Sequence, residues 1–137
     1  MYDTILVATD GNEPSESVVR YALDLAEWCD ATLHALFVVD STVSNPAHRD
    51  FLEEWGARAT NDIVARATKR GLTAVGAVES GRPHRHIVEY ATRHGIDVIV
   101  IGTHGHGRFD RFLLGSVADK VVRSSSVPVL VVPTLKR

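Results

Sequence analysis

The sequence predicts an α/β fold in which a five-stranded parallel sheet is covered by helices on both faces. Two observations carry this expectation. Five apolar runs punctuate the chain, each of strand rather than helix length, and four stretches between them place apolar residues at helical spacing. Strand and helix alternating in this order make a parallel sheet with helical crossovers, and the right-handedness of such crossovers limits how it winds.

The first run covers residues 5–8 and leads into Thr9-Asp10-Gly11. Val18, Ala22, Leu25, Ala26 and Cys29 then share one helical stripe, with Asn12, Pro14 and Ser15 upstream as cap and first-turn residues. After a second run over 33–39, the polar stretch 40–46, with Ser41, Thr42, Ser44 and Asn45, reads as a mobile loop. A long helix is expected over about 47–70. There Phe51, Trp55, Ala59, Ile63 and Ala67 recur every four residues opposite Glu54, Arg58, Asp62 and Arg66, and Gly71 stops the helix. The third run is 72–78, after which Pro83 opens a helix through Ile87, Val88 and Ala91 that His94-Gly95 closes. The fourth run is 98–101. Ser116-Val117-Ala118-Asp119 resembles a capping box opening the last helix, which carries Val121 and Val122 and ends in Ser124-Ser125-Ser126. The fifth run extends from Val127 to Val132.

Composition narrows the function classes. A chain of 137 residues, 45% of them apolar, suits one core and therefore one domain over 1–137. Fifteen basic residues against 17 acidic ones leave a net charge of -2, so there is no broad positive field for nucleic acid or an anionic membrane. Cys29 is the only cysteine, which excludes an internal disulfide and fits a reducing compartment; on the first helix's apolar stripe it reads as an inert core residue. No apolar run approaches the roughly 18 residues that cross a bilayer. A soluble cytoplasmic protein with neither nucleic acid nor membrane as partner is expected.

In a doubly wound sheet, ligands bind beyond the carboxyl ends of the strands, where strand order reverses. The loops after the first and fourth runs are expected to flank that crevice. In the second loop, Gly102, Gly105, Gly107 and Gly115 allow sharp turns and bring backbone N–H groups close to an anion. Gly115 leads into a helix N-terminus whose orphan N–H groups suit a phosphate. Arg108-Phe109 stands where a Walker loop needs Lys and Ser or Thr, and Asp110 replaces the third glycine of a dinucleotide fingerprint, so neither motif is present. From these residues alone, a phosphate cradle and a purely structural loop both stand. Asp10 likewise has two readings: a carboxylate for ribose hydroxyls or Mg²⁺, and a cap for the first helix.

The spacing Gly-x-x-Gly, nine residues, Gly-Ser, here Gly102-Thr103-His104-Gly105 and then Gly115-Ser116, resembles the ATP-binding signature of the universal stress protein family. Ile5-Leu6-Val7-Ala8-Thr9-Asp10-Gly11 and Val127-Pro128-Val129-Leu130-Val131-Val132 are similar to that family's opening and close. The resemblance spans the chain. It implies a Rossmann-like sheet of order 3-2-1-4-5, a homodimer made through the last strand from Val127 to Val132, a stress-response role, and binding of ATP, ADP or AMP. By the same resemblance, Asp10 lies near the ribose and phosphates, and Ala8 and Thr9 adjoin the adenosine. Ala8 departs from the proline often found there. Val38 meets the adenine edge, Ile101 and Gly102 close the ribose side, and Gly105, Gly115, Ser116 and Val117 form the phosphate cradle.

His104, His106, Arg108 and Arg111 lend the loop positive character that a triphosphate would use; the alternative is a solvated loop, more so for Arg111 than for Arg108. The pairs His84/His86 and His104/His106 have no metal-ligand spacing and read as solvent-facing or anion-contacting. Trp28 and Trp55 read as packing residues. The leading expectation is a nucleotide-binding module rather than an enzyme. A slow ATPase or nucleotidyl transferase is the alternative, since no complete catalytic set is visible beyond Asp10 and the loop's Arg and His residues, and a nucleotide-free interaction dimer is the third.

Overall fold

A computed structural model of the protein describes residues 2–11, 15–104 and 114–134. In chain order the elements are β1 (Thr4–Ala8), α1 (Glu16–Cys29), β2 (Thr32–Asp40), α2 (Pro46–Lys69), β3 (Ala74–Gly81), α3 (Pro83–Arg93), β4 (Val98–Gly102), α4 (Ser116–Ser124) and β5 (Val129–Val132). The strands form one parallel sheet in the order β3-β2-β1-β4-β5, as expected.

Alternation along the strands explains the layers. Ile5, Val7, Leu33, Ala35, Val98 and Val100 point to one face and pack against Val18, Ala22 and Ala26 of α1 and Ile63 and Ala67 of α2. Leu6, Leu36, Ile99 and Ile101 point to the other, against Ile87, Tyr90 and Ala91 of α3 and Val121 of α4. Central strands buried on both faces need the near-continuous apolar runs seen in the sequence. Each buried Leu, Ile or Val contributes roughly 1.5–3 kcal/mol.

Several boundaries and roles differ from expectation, each for a local reason. β3 begins at Ala74 rather than residue 72, because Leu72 N–H donates to Ala67 C=O and closes the end of α2. The final run, expected as a strand from Val127 to Val132, pairs only from Val129. Pro128 has no N–H, although its carbonyl accepts from Ile99. Ser116 is the first residue of α4 and not its cap. Gly115 holds the extended cap conformation (φ -63, ψ 159), and Asp119 N–H donates to its carbonyl at 2.9 Å. The 40–46 stretch is a hydrogen-bonded turn: Thr42 N–H and Oγ1 both donate to Asp40 Oδ1, Arg49 donates to Val43 C=O, and Asn45 caps α2 by accepting from His48 N–H. Trp28 is 78% exposed and does not pack, and Cys29 is half-buried against the core on the α1–α2 face.

Candidate functional site

The strand order places the reversal between β1 and β4. The chain winds outward from β1 through β2 to β3, then returns to lay β4 and β5 on the other side. A cleft of about 380 Å³ opens there, beyond the carboxyl ends of the strands. Its walls come from the end of β1 (Ala8, Thr9, Asp10), from β2 (Leu36, Phe37, Val38), from β4 (Ile101, Gly102) and from the start of α4 (Ser116, Val117, Ala118). Pro83 and Ile87 of α3 add apolar surface, while Ser15, His104 and Thr134 add polar groups. Apolar walls with a few converging polar groups suit a ligand having a flat ring and a polar tail.

The loop after β1 is held from three sides. Thr9 N–H donates to Leu36 C=O at 3.1 Å and Gly11 N–H donates to Thr9 Oγ1 at 3.0 Å. The Trp55 indole N–H donates to Asp10 C=O at 2.9 Å. Gly11 sits at φ +75, and a Cβ there would lie 2.5 Å from Trp55 Nε1, so only glycine fits beneath the indole. Behind this loop a smaller cavity, about 70 Å³, separates α1 from α2. Across it Arg66 pairs with Glu16 of α1 at 2.6 Å, and along α2 it pairs with Asp62 at 3.3 Å. The hydrogen bond from Arg66 holds the Glu16 carboxyl below the usual range, and the same bond raises the guanidinium. Both partners are partly solvated, so this brace contributes at most about 1 kcal/mol.

On the α4 side, Gly115 N–H donates to Thr103 C=O at 2.6 Å, joining the exit of β4 to the start of the helix. The first N–H groups of α4 therefore lie at the cleft, where an anion meets the positive helix end.

A further network lies on the face covered by α3. His34 and Tyr90 are buried, with the hydroxyl 2.7 Å from His34 Nδ1, and His94 stacks on Tyr90 at 4.0 Å. Burial and the neighbouring His94 push the His34 imidazole below its ordinary pKa, while burial raises the Tyr90 phenol. Both shifts favour the neutral forms, in which the phenol O–H can donate to His34 Nδ1. Glu79 bonds to His86 and, at 2.9 Å, to Arg93. Burial pushes its carboxyl up, but these two donors outweigh that and the net displacement is downward.

Nine of the twelve residues expected at the site, Ala8, Thr9, Asp10, Val38, Ile101, Gly102, Gly115, Ser116 and Val117, come from four separate segments onto this one cleft. Gly105, His106 and Arg108, with Arg111, lie outside the described residues. His104, expected to face solvent or an anion, is buried at the cleft wall, its Nδ1 3.2 Å from Thr103 Oγ1. His86 is likewise engaged, with Glu79. Among the described residues no group of three or more His, Cys, Asp or Glu is arranged to hold a metal. Pro83, which the sequence offers both as a crevice residue and as a helix opener, does both. Sequence reasoning missed Phe37, Ile87 and Thr134. The first two read as ordinary core residues, and Thr134 lies past the last apolar run, with no local signal.

A doubly wound parallel sheet with a cleft between the loops following β1 and β4 defines a Rossmann-like α/β protein. Within that class, the model of the universal stress protein family matches residues 1–133, and the chain belongs to this family. The universal stress protein MJ0531 of Methanocaldococcus jannaschii is 34% identical over 145 residues, covering 100% of this chain and 85% of that protein. The solved structure of the universal stress protein UspA from Lactobacillus plantarum superposes with a TM-score of 0.80 at 28% identity, covering 96% of this chain and 97% of that one. A universal stress protein solved in complex with cAMP superposes at 0.77 with 29% identity, over 97% and 98% of the two chains.

Proposed function

We propose that this protein is an adenine-nucleotide-binding stress-response module that takes ATP, or ADP or AMP, in the switch-point cleft. The observation that carries the reading is the convergence of the β1 loop, the apolar end of β2, the β4 exit and the α4 N-terminus on one cleft. The apolar surface of Val38, Ile87 and Ile101 suits an adenine ring, and the helix end suits phosphate. The likeness to a protein solved with cAMP supports the same ligand class. Gly105, His106 and Arg108 complete the phosphate side in this reading. Asp10, a hard oxygen ligand on the cleft wall, is the group to which Mg²⁺ would bind.

The reading treats 1–137 as one cytoplasmic unit that forms a homodimer. Among the described residues no helix is long and apolar enough to cross a membrane. β5 forms one edge of the sheet, and pairing of two such edges across a twofold axis would cover it. The deciding experiment is calorimetry and thermal shift with ATP, ADP and AMP at millimolar concentration, repeated in EDTA, with light scattering on the same sample. Binding heat, a raised Tm, weaker ATP binding in EDTA and a dimer mass are expected. Absence of heat and shift with all three nucleotides overturns the ligand; a monomer at micromolar concentration overturns the assembly.

A further inference from the structure

Thr134 lies two residues beyond β5, outside every glycine of the loop signature, yet it is buried and lines the cleft. It exchanges hydrogen bonds with the residues that leave β4. Its N–H donates to Thr103 Oγ1 at 3.2 Å, and its hydroxyl accepts from His104 N–H at 3.2 Å. The same hydroxyl donates to His104 C=O at 3.3 Å and lies 3.1 Å from Thr103 Oγ1. With Thr103 O–H donating to Thr134 Oγ1, each hydroxyl proton is used once and the two threonines form a closed clasp.

The clasp sits at the base of the glycine-rich loop. Thr103 N–H donates to Val132 C=O at 3.0 Å and Thr103 C=O accepts from Gly115 N–H, so one residue binds the last strand, the loop entry and the α4 cap. The Thr134 methyl presses on the same place: a Cβ at Gly102 would lie 2.5 Å from Thr134 Cγ2. The first glycine of the signature is thus required by a side chain from the far end of the chain. Ser17 fastens the tail from the other side, donating to Pro133 C=O at 3.1 Å.

We propose that Thr134 is a positioning residue of the nucleotide site. Through Thr103 and His104 it fixes the distance between the β4 exit and the α4 N-terminus, so that phosphate meets backbone N–H groups already in place. Preset donors bind more tightly because their ordering cost falls in folding rather than in binding. This rests on the nucleotide reading above.

The test compares Thr134→Val, which keeps the methyl against Gly102 and removes the hydroxyl, with Thr134→Ser, which keeps the hydroxyl. ATP affinity is read by calorimetry, and amide hydrogen exchange is followed at His104 and Gly115. Thr134→Val is expected to weaken ATP binding about 3–10-fold and to speed exchange at both amides about tenfold, with Thr134→Ser staying within about twofold of the parent. A purely structural role would lower Tm and leave the affinity of the folded protein unchanged. Unchanged affinity in Thr134→Val, with a parent that binds ATP, overturns the positioning role alone. A parent that binds no adenine nucleotide overturns the nucleotide reading and the positioning role together, and exchange at Gly115 still reports whether the clasp exists. Should Thr134→Val not fold, the pair Thr134→Ser and Thr134→Ala isolates the hydroxyl in the same way.

Discussion

Trp55 reaches from α2 to the loop after β1, where its indole N–H donates to the Asp10 carbonyl. Phe at this position keeps an aromatic ring beside Phe51 but removes the pyrrole part of the indole and leaves the carbonyl without its donor. Trp55→Phe is therefore expected to lower stability by about 1 kcal/mol and to weaken nucleotide binding about 3–10-fold, measured by thermal denaturation and calorimetry. From the sequence, Trp55 was legible only as a packing residue. Its polar function depends on which loop lies opposite, and α2 and that loop are 45 residues apart in the chain.

The α2 helix shows how a sequence pattern can be right about an element and wrong about its face. Apolar residues every four positions suggested that Phe51, Trp55, Ala59, Ile63 and Ala67 share the core stripe. Each four-residue step overshoots a turn by about 40°, so Phe51 and Ala67 stand about 160° apart. The buried residues are instead Gly56, Thr60, Ile63 and Ala67, which fall within about 60°, and Phe51 is 56% exposed. Gly56 looks like a helix defect, because Ala at an interior position is favoured by about 1 kcal/mol. Here a Cβ would meet the buried ring of Phe37, lying 2.7 Å from its Cγ, and Phe37 is also among the residues that line the cleft. Overpacking costs typically about 1–3 kcal/mol. Gly56→Ala is accordingly expected to be net destabilising by up to about 2 kcal/mol, with a lowered Tm and an altered nucleotide affinity. A raised Tm would show that Phe37 yields without cost.

At the scale of the whole molecule, stability depends on pH through groups that do not line the cleft. Burial and the nearby His94 lower the pKa of His34, so between its folded and unfolded values the unfolded chain binds more protons. The stabilising contribution is complete above the unfolded value of about 6.5 and is lost as pH falls from there toward the folded value. His84 acts with the same sign from a more exposed site, its imidazole held down by burial and by Lys120, Arg85 and Arg82. Glu16 and Glu79, both held low, lose their contribution only below about 4.5. Tm is therefore expected to fall between pH 7 and 5.5. His34→Asn, which keeps a polar group near Nδ1 but cannot titrate, should flatten most of that slope; an unchanged slope would assign it elsewhere.

The sequence by itself determined the alternation of strands and helices, the two-faced burial of the sheet and the two loops that matter, because these follow from apolar periodicity and glycine placement within short windows. The family and its strand order were legible because separated motifs, Thr9-Asp10-Gly11 and Gly102 through Ser116, occur in order along the chain. Only the tertiary structure decided which side of α2 is buried, that His34 and Tyr90 form a buried pair, and that Trp55 and Thr134 hold the two loops of the cleft. The physical reason is range. Periodicity and capping act within a turn or two of chain, whereas these contacts join residues 31–56 positions apart and, in the case of Thr134, opposite ends of a sheet edge and a loop.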